Sequence, residues 1–381
     1  MYKDFIRFVR ILYGRAEGVI PLHAPTFHQR DKEYVLDAID STFVSSVGEY
    51  VNRFERELAD FTGAARAVAT VNGTTALQVA LQLVGVQSGD EVITQPLTFV
   101  ATANAIVHLG ANPVFVDVDR DSMGLSPDAL DAFMRENVQR NRCGVFNQKT
   151  GKRIAAIVPM HTFGHPCDIE RLIDIARHWS IPLVEDAAEA IGSRFGEKHC
   201  GVFGDMGILS FNGNKTITCG GGGAILTNNS ALADNAKHLT TTAKVPHLWE
   251  FEHNQVGYNF RMPNLNAALA CAQLERLPRI LQEKRELANA YEGYFKRTPW
   301  ASFMKEPAGS HANYWLCTIA LKDSAARDAF LEATNAAGIM TRPAWKLMTE
   351  LPMYKNCQKG PLDNSVWLRE HIVNLPSGVR N

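Results

Sequence analysis

The sequence predicts an α/β protein: a large domain built on a parallel or mixed sheet covered by helices, followed by a smaller α+β domain. Three observations carry this. From about Arg66 to Leu226, short apolar runs alternate with helical patterns. From Leu265 to Tyr294 the spacing is helical throughout. The remainder then reads strand, helix, strand.

Each element has its own justification. Arg66 to Val71 reads as a buried strand, and Thr74 to Val84 has helical spacing. Glu91 to Thr94 is the next strand, followed by a helix from Phe99 to Leu109. Pro113 to Val118 is a strand, and Ser126 caps a helix that runs to Arg135. Ile154 to Pro159, Pro182 to Glu185, Gly207 to Phe211 and Gly223 to Thr227 continue the strand series. In the long helix Pro278 marks a kink. Asn313 to Leu321, Ala325 to Ala337 and Gly338 to Thr341 supply the final strand, helix and strand. At the start, Phe5, Phe8, Val9 and Leu12 share one helical face, which predicts a docking helix.

Composition narrows the function classes. The 381 residues are 46% hydrophobic and 21% charged, ordinary for a globular protein. A net charge of −1 carries no footprint of nucleic-acid or acidic-membrane binding. No apolar run is long enough to span a bilayer, and the first ten residues lack the apolar core of a signal peptide. Seven cysteines without any CxxC suggest reduced thiols and a cytoplasmic setting.

Chemistry concentrates at strand ends. The run Ile181-Pro182-Leu183-Val184-Glu185-Asp186 ends in acid, and Gly207-Ile208-Leu209-Ser210-Phe211-Asn212-Gly213-Asn214-Lys215 ends in an amine just before Gly220 to Gly223. Pyridoxal-phosphate chemistry needs both groups. A lysine holds the aldehyde, and a carboxylate keeps the ring nitrogen protonated. Small residues after Asp186, namely Ala187 and Ala188, leave room for a planar ligand, although a carboxylate there also suits a helix cap. Asn72-Gly73-Thr74-Thr75 opens a helix after a strand, which suits a phosphate and equally an ordinary cap. Phe99 could stack on a flat ring or belong to the core. His161-Thr162-Phe163-Gly164-His165 has no third ligand at metal-site spacing. A histidine beside the cofactor or substrate and a structural histidine both fit. His311, Asn313, Trp315, Arg342, Pro343 and Trp345 are candidate sugar or nucleotide contacts, and equally core aromatics and surface charge.

Six motifs in order carry a resemblance over nearly the whole chain, from Ile20-Pro21-Leu22 to Leu375-Pro376-Ser377. They are NGTTAL, LTFVATANAI, FVDVD, EDAAEAIG, SFNGNK with its glycine run, and GYNFRMPNLNAA. Together they resemble the DegT/DnrJ/EryC1/StrS sugar aminotransferases, pyridoxal-phosphate enzymes with the aspartate aminotransferase fold (fold type I). The resemblance implies a large domain over residues 1–260 and a small one over 261–381. It makes Lys215 the Schiff-base lysine and proton carrier, and pairs Asp186 with the ring nitrogen. It places Gly73, Thr74 and Ser210 on the phosphate and Phe99 on the ring. Asn259 would reach the phosphate of a neighbouring subunit, which implies a homodimer with shared sites.

Two positions depart from the family pattern. Glu189 stands where the family more often has Gln or His near the ring hydroxyl, and Cys219-Gly220-Gly221-Gly222-Gly223 replaces a Gly-Glu-Gly-Gly run. The opening Met1-Tyr2-Lys3-Asp4-Phe5-Ile6 and the runs Asp40 to Gly48, Phe211 to Lys215 and Thr240 to His247 are similar to the branch that aminates C4 of nucleotide-linked 4-keto-6-deoxy-N-acetylhexosamines, with L-glutamate as donor. Those enzymes serve legionaminic-acid and bacillosamine pathways, and a UDP-linked substrate is expected. Amination at C3, or of another nucleotide sugar of the perosamine type, is the alternative. A dehydratase of the same fold carries histidine at the lysine position, so Lys215 speaks against it. The Lys215–Asp186 pair and the near-neutral charge speak against a non-catalytic regulator.

Overall fold

The structure, a computed structural model, describes residues 2–45 and 47–380. Met1 and Ser46, which fall within runs quoted above, and Asn381 lie outside the described residues.

Three helices lead in: α1 (Lys3–Leu12), α2 (Gln29–Asp40) and α3 (Glu49–Thr62). The chain then alternates through β1 (Arg66–Thr70), α4 (Gly73–Leu83), β2 (Glu91–Thr94), α5 (Val100–His108), β3 (Asn112–Phe115) and α6 (Pro127–Asn137). A hairpin, β4 (Val138–Asn141) and β5 (Gly144–Asn147), precedes β6 (Ile154–Val158), α7 (Ile169–Trp179) and β7 (Val184–Asp186). Two short strands, β8 (Arg194–Phe195) and β9 (Lys198–His199), lead to β10 (Met206–Ser210), β11 (Gly223–Thr227) and α8 (Ser230–Thr240). After the long helix α9 (Asn264–Phe295) come β12 (Ala301–Phe303), β13 (Ser310–His311), β14 (Cys317–Leu321) and α10 (Ser324–Ala336). The chain closes with β15 (Arg342–Pro343), α11 (Asp363–His371) and β16 (Ile372–Leu375).

The sheet is mixed, as the alternation predicts. One part has the order β1-β11-β10-β7 and the other β3-β2-β6. Parallel bridges Ile157–Leu183 and Met160–Asp186 join them. Every neighbouring pair is parallel except those involving β11. Strands β2, β6, β7, β10 and β11 are buried along their whole length. That is why they read as continuous apolar runs rather than alternating ones. Ser126 caps α6 by accepting from the Ala129 amide, with Pro127 in its first turn.

Helix α9 runs unbroken through Pro278 and packs against α2 and α3. The C-terminal sheet has the order β12-β14-β16-β15. Helix α1 docks as expected, on the core beneath that sheet: Phe5 and Val9 are fully buried among Tyr291, Phe295 and Phe330.

Two boundaries differ from expectation. The strand expected from Asn313 begins only at Cys317, because Tyr314 takes a left-handed φ of 47° and Asn313 Oδ1 ties back to the Trp315 amide. The strand expected over Gly338–Thr341 lies instead at Arg342–Pro343. Gly338, with φ of 73°, ends α10, and Ile339 is drawn into a bridge with Ile20. Helices α2, α3, α7 and α8, the β4–β5 hairpin and the β13-β8-β9 sheet have no counterpart in the sequence reading.

Phe5→Ala removes a fully buried ring that links α1 to α9 and α10. Denaturant unfolding should show a loss of roughly 3–5 kcal/mol. A loss below about 1 kcal/mol would contradict the docking of α1.

Candidate active site

A cavity of about 320 Å³ opens at the carboxyl ends of the central strands. This is where ligands collect in open α/β sheets. Its walls include Gly73, Thr74, Phe99, Asp186, Glu189, Ser210, Lys215 and Trp315. Residues from five separate stretches of the sequence thus face one space.

The anion end is built by close packing. Asn72 caps α4, its Oδ1 accepting from the Thr75 amide at 2.9 Å. The next amides, at Gly73 and Thr74, start the helix and lack intrahelical acceptors. A Cβ on Gly73 would lie 3.0 Å from the Ser210 Cβ. A Cβ on Gly223 would lie 2.4 Å from the carbonyl carbon of Asn72. Glycine at both positions therefore lets the helix start abut the ends of β10 and β11. The helix dipole and the Ser210 hydroxyl then meet at one point, a seat for a phosphate.

The acid end is buried. Asp186, the last residue of β7, pairs with Ile208 of β10. Its Oδ2 accepts from the Thr102 hydroxyl at 2.7 Å and its Oδ1 from the Ala188 amide at 3.2 Å. Burial raises its pKa above the ordinary carboxylate value. The Thr102 and Ala188 bonds and the Lys215 charge offset only part of that. A cation facing Asp186 would complete the compensation.

Lys215 emerges from the loop after β10 with its side chain 12% exposed. Its Nζ lies 3.1 Å from Glu189 Oε1 and 4.1 Å from the centre of the Trp315 ring. Glu189 also accepts from the Phe163 amide at 2.9 Å. Burial pushes the pKa of Glu189 up to about 7, even though Lys215 and the Phe163 amide pull it down. Phe99 sits immediately before α5, half-exposed, with Trp345 6.2 Å away between ring centres.

The other candidates lie elsewhere. His161 is fully buried, its Nε2 3.0 Å from Glu185 Oε2 and its Nδ1 accepting from the Cys167 amide at 3.2 Å. Glu185 also accepts the amides of Gly201, Phe203 and Gly204. Burial alone would raise the pKa of Glu185. The His161 bond and those amides hold it below its ordinary value. His161 therefore braces the turn before β10 and lies outside the residues that line the cavity. Asn313 is likewise a brace: Nδ2 donates to the carbonyls of Glu189 and Ile191, both at 2.9 Å. His311 pairs with Arg194 on the β13-β8-β9 sheet, and Arg285 Nη2 lies 3.1 Å from its Nδ1. Arg342 lines an adjoining cavity of about 590 Å³ that shares Asn214, Trp315 and Trp345 with the first. Asn259 is exposed and outside the cavity of its own chain.

Sequence reasoning missed Thr102, Asn214 and the role of Trp315 as a lid over Lys215. Thr102 had a signal, lying three residues after Phe99 and so on the same helical face. Asn214 had none.

The sequence model of the DegT/DnrJ/EryC1/StrS aminotransferase family matches residues 25–380. The chain belongs to this family. It is 35% identical to the GDP-perosamine synthase of Escherichia coli O157:H7, over 94% of this chain and 93% of that one. It is 33% identical to the Bacillus subtilis (strain 168) protein EpsN, described as a putative pyridoxal phosphate-dependent aminotransferase, over 88% and 84% of the two chains. Among solved structures, Helicobacter pylori PseC, an aminotransferase involved in the biosynthesis of pseudoaminic acid, superposes with a TM-score of 0.85. That match has 25% identity and covers 94% and 93% of the chains. The fold is that of the pyridoxal-phosphate sugar aminotransferases, and pyridoxal 5′-phosphate is the cofactor. The residues present suit it: a phosphate seat closed by glycine, a buried acid short of a cation, and an amine at the cavity wall.

The pKa of Glu189 carries a pH prediction. A buried acid raised from 4.5 to about 7 contributes stability that is full below about pH 4.5 and is lost as pH rises through about 7. Glu189→Gln keeps the acceptor for Phe163 and removes the titration. Between pH 5 and 8 the cofactor-free parent should lose stability relative to this variant, by roughly 3 kcal/mol at most. Parallel denaturation midpoints across that range would refute the assignment.

Proposed function

We propose that this chain transfers the amino group of L-glutamate to a keto carbon of a nucleotide-linked sugar, with Lys215 as the covalent tether and proton carrier. The observation that supports it most directly is that Lys215 and Asp186 face one cavity beside the free start of α4. When bound, pyridoxal phosphate supplies an aldehyde that captures amines and a ring that accepts electrons.

The residues then divide the work. Gly73, Thr74 and Ser210 hold the phosphate, and Phe99 covers the ring. Asp186, aimed by Thr102, keeps the ring nitrogen protonated by favouring its cationic form. Lys215 Nζ takes the proton from the α-carbon of glutamate in the first half-reaction. In the second it delivers a proton to the sugar carbon that receives the amine. Trp315 and Trp345 wall the cavity and limit water.

The relatives bear on the sugar. The 35% identical Escherichia coli relative is a GDP-perosamine synthase. That favours a GDP-linked keto sugar of the perosamine type over the UDP-linked N-acetyl sugar read from the sequence runs. Amination at C4 remains the reading of those runs. The UDP-linked N-acetyl 4-keto sugar read from the sequence runs is the second candidate.

A homodimer is part of the proposal. Leu248, Trp249, Phe251 and Val256 are exposed by 73–90% close in sequence to Asn259. A second copy would cover them and bring Asn259 to the partner's phosphate seat. The seven free cysteines fit a cytoplasmic enzyme. No helix among the described residues is long and apolar enough to cross a membrane.

Three measurements check this reading. Glutamate added to the cofactor-loaded protein should convert the visible band of the lysine-bound cofactor to that of its amine form. A band unmoved by glutamate would mean another donor or no transamination. GDP- and UDP-linked 4-keto-6-deoxy sugars should then be compared by product mass, with the GDP-linked amine expected. Lys215→Ala should lower turnover by at least about 10³-fold, and appreciable activity in that variant would sink the assignment.

A further inference from the structure

Helix α9 carries a lysine that the proposed chemistry does not use. Lys284 is 1% exposed and is among the largest fully buried side chains of the protein. An ammonium has three N–H donors. Here they meet three acceptors: the Ser377 carbonyl at 2.7 Å, the Trp315 carbonyl at 3.2 Å and His23 Nε2 at 3.1 Å. None of these is a carboxylate. Burying an ammonium without a counter-charge is costly. Burial pushes the pKa of Lys284 down to about 7, against a smaller opposing effect of Cys317. Leucine or methionine would fill the same space more cheaply, so the amine has a use beyond filling it.

That use follows from what the three acceptors do. They come from three segments, the stretch before α2, the stretch before β14 and the tail after β16. These also bond one another through Ser377, whose amide donates to the Leu22 carbonyl and whose Oγ accepts from the Cys317 amide. One of them, Trp315, touches the candidate tether, as the Glu189 side chain also does. Its indole N–H donates to the Asn214 carbonyl at 2.7 Å, one residue before Lys215. Its ring centre lies 4.1 Å from Lys215 Nζ. An aromatic face at that distance favours the charged form of an amine. The backbone of Trp315 is pinned from below by Lys284, while its ring sets the loop and the charge above.

We propose that Lys284 is a positioning residue for Lys215: it fixes Trp315, and Trp315 in turn holds the Asn214–Lys215 loop and the ammonium at its end. The functional weight of this rests on Lys215 being the cofactor's tether, but the physical coupling does not. The charged and titratable groups around the relay are His23 and Cys317 at Lys284, and Glu189 and Asp186 at Lys215.

The test uses the full chain without cofactor. Trace acetylation by acetic anhydride, followed peptide by peptide at one pH, gives the reactivity profile of the Lys215 amine against exposed lysines. Lys284→Met keeps the volume and removes all three donors. Lys215 should be acetylated several-fold faster relative to exposed lysines, because its amine is no longer held against the ring. Trp315→Leu should cause a similar rise. In that background, Lys284→Met should add nothing, because both act through one ring. Leu277→Ala, a buried change on the same helix, controls for lost stability and should leave the profile in place. Lys284→Gln, which keeps two donors, substitutes if the methionine variant does not fold, and should shift the profile less. Additive shifts, or a Lys215 profile unchanged in both Lys284 variants, would overturn the proposal. A shifted profile with unchanged cofactor capture would leave the coupling standing and remove Lys215 as the tether.

Discussion

Charge is taken out of water at the ends of two adjacent parallel strands, and much of the surrounding structure compensates for it. Asp186 ends β7 and Lys215 follows β10, so the pairing of those strands sets the two functional groups side by side. Neither strand could carry such a group alone, because a lone buried charge is expensive. Thr102 and Ala188 share the cost at Asp186. Glu189 and Trp315 share it at Lys215. The compensation at Asp186 is incomplete, which is the property a cationic ring nitrogen would exploit.

The same logic separates two neighbouring acids. Glu185 and Asp186 are consecutive in a strand and so point to opposite faces. Glu185 receives three amides and a histidine, is held ionised, and fastens the turn that leads into β10. Asp186 receives one hydroxyl and one amide, and its remaining capacity faces the cavity. The face each acid points to and the number of donors it receives distinguish the brace from the functional group.

This explains how far the sequence could be read. The central strands were legible because both their faces are buried, which leaves an uninterrupted apolar signature. The cavity residues on those strands and their following turns were legible for the same reason: a strand end fixes where the next side chain points. For His161 and Asn313 the sequence left two readings open because their partners, Glu185 and the carbonyls of Glu189 and Ile191, are distant in sequence. Nothing local marks such partners. Lys284 was invisible in the same way, a basic residue in a helix rich in charge. The strand expected at Gly338–Thr341 failed because the left-handed Gly338 and the bridge to Ile20 shift it by a few residues. The sugar preference was legible least, since the aromatic and basic residues after β13 serve core and cavity alike.

The account stands on one covalent assignment. Borohydride reduction of the cofactor-loaded protein, followed by peptide mass mapping, locates the residue that carries pyridoxal phosphate. The label should fall on the peptide containing Lys215, and it should vanish when glutamate is added before the reductant. Label on any other lysine, Lys284 included, would contradict the reading of this cavity.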